Sequence, residues 1–533
     1  MIGTFRQSMT WLHTWAGLVF CWILYFMFVT GTLGYFDTEI DHWMQPELSQ
    51  LEETTTETRI DTAVRYLEAN AQGAERWFIN FGGGREEPHL RVFWQTPSVD
   101  EDAPPENNNV LLDAATGKPL DEVARDTGGG QLLYRMHYVL HYLDPQVGFR
   151  LVGILTLFMF IGLVTGIIAH KKIFKDFFTF RPKKGQRSWL DMHNLLSVSS
   201  LPFQLMITYS GLLFATALYM PLIAFGSVGF NSEKAAELGN FLNVEVEASG
   251  IAAPVGDIAG VVADVEADWG RGSVERLNIY QPGDAYARVV LAPTAELGFL
   301  QGSRIYNATT GEYLRDQQIP DSGALSFASV MLGLHEGLFA GPVLRWLYFF
   351  SGLLGTAMVA TGAIHWTSKR RKQASDAEQT RGFRFVEIAN IGTIMGVLIG
   401  VAAFFWANRL LPVGLETRAE WEAHAIFVAW GLCLVYPMVR SPQHAWRDLT
   451  WVAAIAYGAL PLLNALTTDV GLLASIDRND WVMASFDLTA LGTGVALALS
   501  AVYLTRKAAF AETPTASGAA RRAEVAIQEA AVR

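Results

Sequence analysis

Cysteine is almost missing from this chain, with two residues, Cys21 and Cys433, among 533. Both fall inside apolar runs and read as small packing residues. They give no ground for a disulfide framework or a cysteine metal site. Charge is scarce as well, at 17% of residues, while 51% are hydrophobic. That balance is too apolar for an ordinary soluble enzyme. Motifs of nucleotide and hydrolase chemistry are lacking too. There is no Gly-rich nucleotide fingerprint, no catalytic Ser elbow and no H-E-x-x-H, since His335-Glu336 has no second His at the right distance. No catalytic acid–base residue is assigned.

The apolar residues are gathered into eight runs, near 12–36, 149–170, 195–222, 343–366, 388–407, 424–440, 449–467 and 484–505. Runs of about 20 residues cross a bilayer as helices. The first lacks an A-x-A-type cleavage site and reads as a retained anchor. Two long polar stretches interrupt the series. Residues 37–146 hold 21 acidic and 8 basic side chains, and residues 227–339 hold 15 and 6. The connection 171–192 reverses the sign with Lys171, Lys172, Lys175, Arg181, Lys183, Lys184 and Arg187. Lys369, Arg370, Arg371 and Lys372 follow the fourth run. The positive-inside rule puts both basic loops and both termini in the cytoplasm, and the acidic segments on the far side. An acidic outward surface excludes nucleic acid as a partner. Membrane lipid is the expected surrounding.

The polar stretches belong to a duplication. Leu111-Leu112-Asp113-Ala114-Ala115-Thr116-Gly117 resembles Ile305-Tyr306-Asn307-Ala308-Thr309-Thr310-Gly311. Asp113 and Asn307 are 194 residues apart, as are His141 and His335; Arg150 and Arg345, and His170 and His365, are 195 apart. Each stretch follows one plan. A helix (Ile60 to Asn70; Ile258 to Asp268) precedes strands (Trp77 to Phe81 and His89 to Trp94; Arg276 to Tyr280 and Ala287 to Leu291). A Thr-Gly hairpin closes each one. Residues 98–109, with Pro104 and Pro105, read as a loop.

The fold class is thus a polytopic α-helical membrane protein of about eight transmembrane helices with two small outward α+β domains. Residues 1–36 form the first helix and 37–146 the first domain. Residues 147–226 hold helices two and three, and 227–339 the second domain. Residues 340–372 hold helix four and its basic loop, 388–507 a separate block of four helices, and 508–533 a tail.

Seven of the 11 histidines sit at helix borders. His13, His170, His193 and His365 lie at the border with the basic loops. His137, His141 and His335 lie at the other. Ionisable groups at membrane depth are functional suspects. Imidazole is also a common axial haem ligand, and bis-ligation needs one His from each of two facing helices. His42, His89, His424 and His444 have no repeat partner and read as structural. His137 and His141 share a face if their stretch is helical, a weak zinc signal without a third ligand. A straight helix would separate His141 from His170 by roughly 43 Å.

The stretches Trp11-Leu12-His13-Thr14-Trp15-Ala16-Gly17, Ile168 to Pro182, and Trp189-Leu190-Asp191-Met192-His193-Asn194 resemble the PepSY-associated transmembrane helix family. The likeness covers about residues 1–372. The family includes iron-regulated inner-membrane proteins and ferric-siderophore reductases. The resemblance implies PepSY-like periplasmic domains and haem b, two per chain. It implies electron transfer from an unidentified cytoplasmic or quinone donor to a periplasmic ferric siderophore or other Fe(III) chelate. Carried over position by position, His13, His170, His193 and His365 fall on the cytoplasmic-side histidines, and His137, His141 and His335 on the outer set. The family's Leu-Pro-Phe-His in helix three is Leu201-Pro202-Phe203-Gln204 here. Two other classes stay open: a siderophore or iron transporter, and a non-catalytic membrane protein whose PepSY-like domains bind peptides or regulate proteases.

Overall fold

The computed structural model describes residues 4–82, 85, 88–98, 105–120, 124–215, 246–294, 297–373 and 380–512. The start of the expected second domain, the end of the third apolar run and most of the tail lie outside these residues. The chain divides into two compact units, residues 1–362 and 363–533.

In the first unit α1 (Phe5–Gly34) runs antiparallel to α5 (Pro145–Ala169), and both are long and apolar enough to cross a membrane. Asp144 caps α5 by accepting from the Gln146 and Val147 amides, with Pro145 in its first turn. The third run differs from expectation. It is a pair of helices, α7 (Gln186–Ser199) and α8 (Leu201–Phe214), bent by 67° at Ser200. Pro202 in the first turn of α8 accounts for the break, because proline cannot continue a helix through its own ring. The four-residue α6 (Ile173–Asp176) lies in the basic loop before α7. The fourth span is α11 (Pro342–Gln373).

The two polar stretches build one sheet. Strands β1 (Arg76–Asn80), β2 (Leu90–Thr96) and β3 (Glu106–Leu112) come from the first. Strands β4 (Arg276–Tyr280), β5 (Arg288–Leu291), β6 (Ser303–Asn307) and β7 (Tyr313–Gln317) come from the second. The order is β3-β2-β1-β4-β5-β6-β7, antiparallel throughout. The β1–β4 seam pairs Arg76 with Tyr280 and Asn80 with Arg276, so the two halves meet about a local two-fold. Helices α3 (Thr56–Asn70) and α9 (Ile258–Trp269) pack on this sheet. Their Ile60, Leu67, Val262 and Val265 join Ile79, Val92, Ile279 and Val289 in a single core. The expected pair of tethered domains is therefore fused. Residues 106–109, expected as loop, are strand, because β2 offers them a full backbone ladder as far as Thr96. The two Thr-Gly turns match closely. Gly117 and Gly311 both have φ of 72°, and their amides donate to Asp113 O and Asn307 O.

Two short helices turn the sheet chain back into the helices. α4 (Gly129–Val139) ends where Leu140 takes a φ of 58°. α10 (Gly323–Glu336) ends at Gly337 in the left-handed region. α2 (Asp37–Met44) follows α1 and packs against α4.

The second unit holds α12 (Arg381–Leu410), α13 (Arg418–Val439), α14 (Pro442–Gly458), α15 (Leu460–Thr467), α16 (Leu472–Asp477) and α17 (Trp481–Glu512). By length and composition this makes seven membrane-crossing helices among the described residues, or eight with the bent pair. A polar network is sealed within the block. Arg418 pairs with Glu422, both fully buried. Asn408 Nδ2 donates to Glu422, Arg409 Nε to Asn464 Oδ1, and Asn464 Nδ2 to Asp487. Two cations and two carboxylates balance there, as burial requires.

Candidate paired-histidine sites

Four of the border histidines form two facing pairs. At the basic-loop end of the first unit, His13 on α1 faces His193 on α7, with ring centres 6.3 Å apart. At the sheet end, His137 on α4 faces His335 on α10, with centres 6.2 Å apart.

All four rings are held in the same manner. His13 Nδ1 lies 2.9 Å from Gly162 O, His193 Nδ1 2.9 Å from Met358 O, and His137 Nδ1 2.8 Å from Met27 O. A carbonyl only accepts, so each Nδ1 carries the proton and each Nε2 keeps its lone pair. His335 is hydrogen-bonded to the Ile207 backbone, and its Nδ1 also meets the Ser210 hydroxyl at 2.9 Å. That hydroxyl already donates to Met206 O at 2.7 Å, so Nδ1 is the donor here as well.

The same edge of each ring rests on a helix glycine. A Cβ at Gly31 would come within 2.5 Å of His137 Nδ1. At Gly166, Gly211 and Gly362 it would stand 3.0, 3.2 and 3.1 Å from Cε1 of His13, His335 and His193. The Nδ1 edge is thus packed and bonded, and the Nε2 edge is left as the working one.

These partners reveal a second register of the duplication. His13 and His193, Met27 and Ile207, and Gly31 and Gly211 are all 180 residues apart. Gly162 and Met358, and Gly166 and Gly362, are 196 apart. The register of 194–195 is plain in the hairpin turns, whereas the register of 180 lies within the apolar spans. Glycines recurring at fixed spacing within apolar spans were the signal available.

The other candidates are placed elsewhere. His170, the C-cap of α5, accepts from Asn194 Nδ2 at 3.1 Å. His365 follows Gly362 by three residues on α11, within the second unit. His141 packs edge-on against Tyr142 at 4.2 Å, past the end of α4. The ring opposite His335 is His137, four residues earlier than the one in register. The break at Leu140 also keeps His137 and His141 off a common helix face. No group of three or more His, Cys, Asp or Glu side chains able to hold a metal ion occurs among the described residues.

Packing orders the surroundings. Asp191, 5% exposed, accepts from Arg181 Nε at 2.8 Å and Nη2 at 2.6 Å, clasping the basic loop to α7 two residues before His193. Gln204 is fully buried and donates to Ser351 O at 3.0 Å. Phe20 and Phe158 stack with centres 4.2 Å apart, at positions on α1 and α5 between the two pairs. On α5, Gly166 touches one pair and Thr156 packs beside Gly211 at the other. The two levels are therefore separated by about 15 Å along that helix.

A cavity of about 740 Å³ takes in His137 and His335. Phe28, Val152, Met159 and Phe203 line it from the membrane helices, and Asp37, Arg85 and Arg276 from the sheet side. Burial raises the Asp37 carboxyl above its ordinary range, against the opposing pull of Arg85.

The long apolar helices and the duplicated plan agree with a match to a known family over most of the chain. The chain belongs to the PepSY-associated TM region family. The match runs over residues 10–369, which takes in all four paired histidines and stops before the second unit's helices. Membership fits a multi-pass membrane protein with a small antiparallel sheet region. No curated protein matches the chain.

Proposed function

We propose that the chain is a dihaem b electron-transfer protein of the bacterial inner membrane that reduces ferric siderophores or other Fe(III) chelates at its periplasmic, sheet-bearing face. In this reading the basic loops and both termini are cytoplasmic. The observation that carries it is the spacing of the rings. With metal–nitrogen bonds of about 2.0 Å, two imidazoles that shared one metal ion would have ring centres roughly 6 Å apart. The measured separations are 6.3 and 6.2 Å. The protonated Nδ1 atoms leave Nε2 as the ligand and strengthen it as a donor. The cavity around His137 and His335 lies in the range typical of cofactor sites.

Haem held by these histidines would supply reversible one-electron transfer. The protein's own part is to fix and shield. Carbonyls Gly162 O, Met358 O and Met27 O, and the Ser210 hydroxyl, orient the rings. Leu24, Leu155, Met159 and Leu163 keep water from the space between the levels. One electron enters from a cytoplasmic or quinol donor for each ferric ion reduced to ferrous on the sheet side. The ferrous product is held less firmly by hard oxygen ligands, which frees it for uptake.

Purified protein should carry two low-spin bis-His b haems per chain. His13→Ala with His193→Ala should remove one, and His137→Ala with His335→Ala the other. Dithionite-reduced protein should be reoxidised by a ferric chelate, and the sheet-end double variant should lose that reaction. Protein purified from iron-replete cells without haem absorption overturns the proposal and moves transport or regulation ahead.

A further inference from the structure

The cavity at the sheet-end pair has a two-sided lining. The membrane helices contribute Phe28, Val152, Met159 and Phe203. The sheet side contributes Arg85, which follows β1, and Arg276, the first residue of β4, with the carboxylates of Asp37 and Glu336 also in the lining. Among the described lining residues these two are the fixed cations. They come from different halves of the duplication and approach the cavity on either side of the β1–β4 seam.

Arg85 is incompletely satisfied. Its Nη2 donates to Tyr35 O at 2.7 Å and pairs with Asp37 Oδ1 at 3.3 Å and Glu39 Oε2 at 3.6 Å. Its Nε is buried and has no hydrogen-bond partner. A buried guanidinium N–H without an acceptor is costly, so this N–H is available to donate to an anionic or carbonyl oxygen. The apolar lining cannot solvate a carboxylate, so an amphipathic occupant must turn its acidic edge to the sheet.

We propose that Arg85 and Arg276 form a carboxylate-binding subsite for the acid side chains of the porphyrin bound between His137 and His335. This rests on the haem reading above and adds an orientation to it: the acidic edge faces the sheet, and one arginine from each repeat holds it. Loading the cavity then ties the two halves of the sheet to the helices beneath them. No corresponding arginine subsite is assigned to the His13–His193 pair, which serves as the internal reference.

The test uses full-length protein produced in haem-deficient cells and loaded in detergent with either protohaem or its dimethyl ester. Wild type should fill both sites with protohaem and bind the ester at least tenfold more weakly at the sheet-end site alone. The His13/His193 and His137/His335 double variants identify which absorption band belongs to which site. Arg85→Gln with Arg276→Gln should abolish the preference for acid over ester, and Arg85→Lys should keep part of it. Equal affinity of wild type for acid and ester at the sheet-end site overturns the subsite, and this comparison needs no variant to fold. So does an arginine double variant that discriminates as well as wild type. A wild type that binds neither compound with bis-His bands removes the haem reading itself, a result distinct from either.

Discussion

Gly31→Ala is the most demanding test of the ring cradles. The added methyl would sit 2.5 Å from His137 Nδ1 and 2.7 Å from Cε1. Relaxed contacts lie near 3.5 Å, so the ring must retreat by about 1 Å. That retreat breaks its 2.8 Å bond to Met27 O. The lost hydrogen bond costs about 1 kcal/mol, and overpacking a tight contact adds about 1–3 kcal/mol. The helical preference for Ala over Gly returns up to about 1 kcal/mol. A net cost of about 1–3 kcal/mol at the site follows, or roughly 5- to 150-fold in affinity for whatever His137 and His335 bind together. Gly17→Ala is the matched control on the same helix, since its Cβ would meet nothing within 4 Å. It should raise stability by up to about 1 kcal/mol and leave binding alone. The assay is haem stoichiometry and a redox titration of both variants beside wild type. Gly31→Ala protein with two haems of unchanged potential would refute the claim that this glycine seats the ring.

Other consequences can be checked on the same material. If the proposed haems are bound, His141→Ala should keep both signals, whereas His137→Ala alone should lose the sheet-end one by absorption spectroscopy. In the second unit, Arg418→Ala should cost about 3–5 kcal/mol by leaving Glu422 buried and unpaired; Arg418→Met with Glu422→Leu should recover most of it in a denaturation series. His89, outside the membrane helices, is held down at about 4, mainly by burial and next by His42, Arg59 and Arg91. The unfolded chain then binds more protons between pH 6.5 and 4, so stability falls across that window as pH drops, by up to about 3 kcal/mol. His89→Gln should flatten that part of the thermal-midpoint profile; an unchanged slope would show that another group carries it.

Much of the architecture was legible in the sequence because hydropathy and turn chemistry are local. The spans, the polar stretches and the Asp113 and Asn307 turns could all be found by inspection. The site was legible in its residue types and not in its pairing. His141 matched His335 by register, yet the left-handed Leu140 ends α4 and leaves His137 as the facing ring. His13 and His193 were recognised as border residues, but their 180-residue shift differs from that of the hairpins, so a comparison at one register passed over them. The fusion through β1 and β4 was hidden for another reason. Ile79 and Ile279 are buried between more exposed neighbours, as in any half-buried strand, and nothing local says which edge a strand will meet. Pro202 was visible, but the 67° bend it permits depends on the packing of α8 against α5 and α10.

The seam between β1 and β4 also sets a schedule for making the protein. β1 is complete once residue 80 has been synthesised, but its partner begins at Arg276, about two hundred residues later. At roughly 5–20 residues per second that is about 10–40 s of elongation. Throughout that interval the Arg76–Asn80 edge stands open, a template for any other extended chain. The first repeat is therefore born with an unmet strand edge that only its own duplicate satisfies. A chain cut between the repeats would keep His13 and His137 but neither facing ring, and it would expose the surface most prone to misassembly.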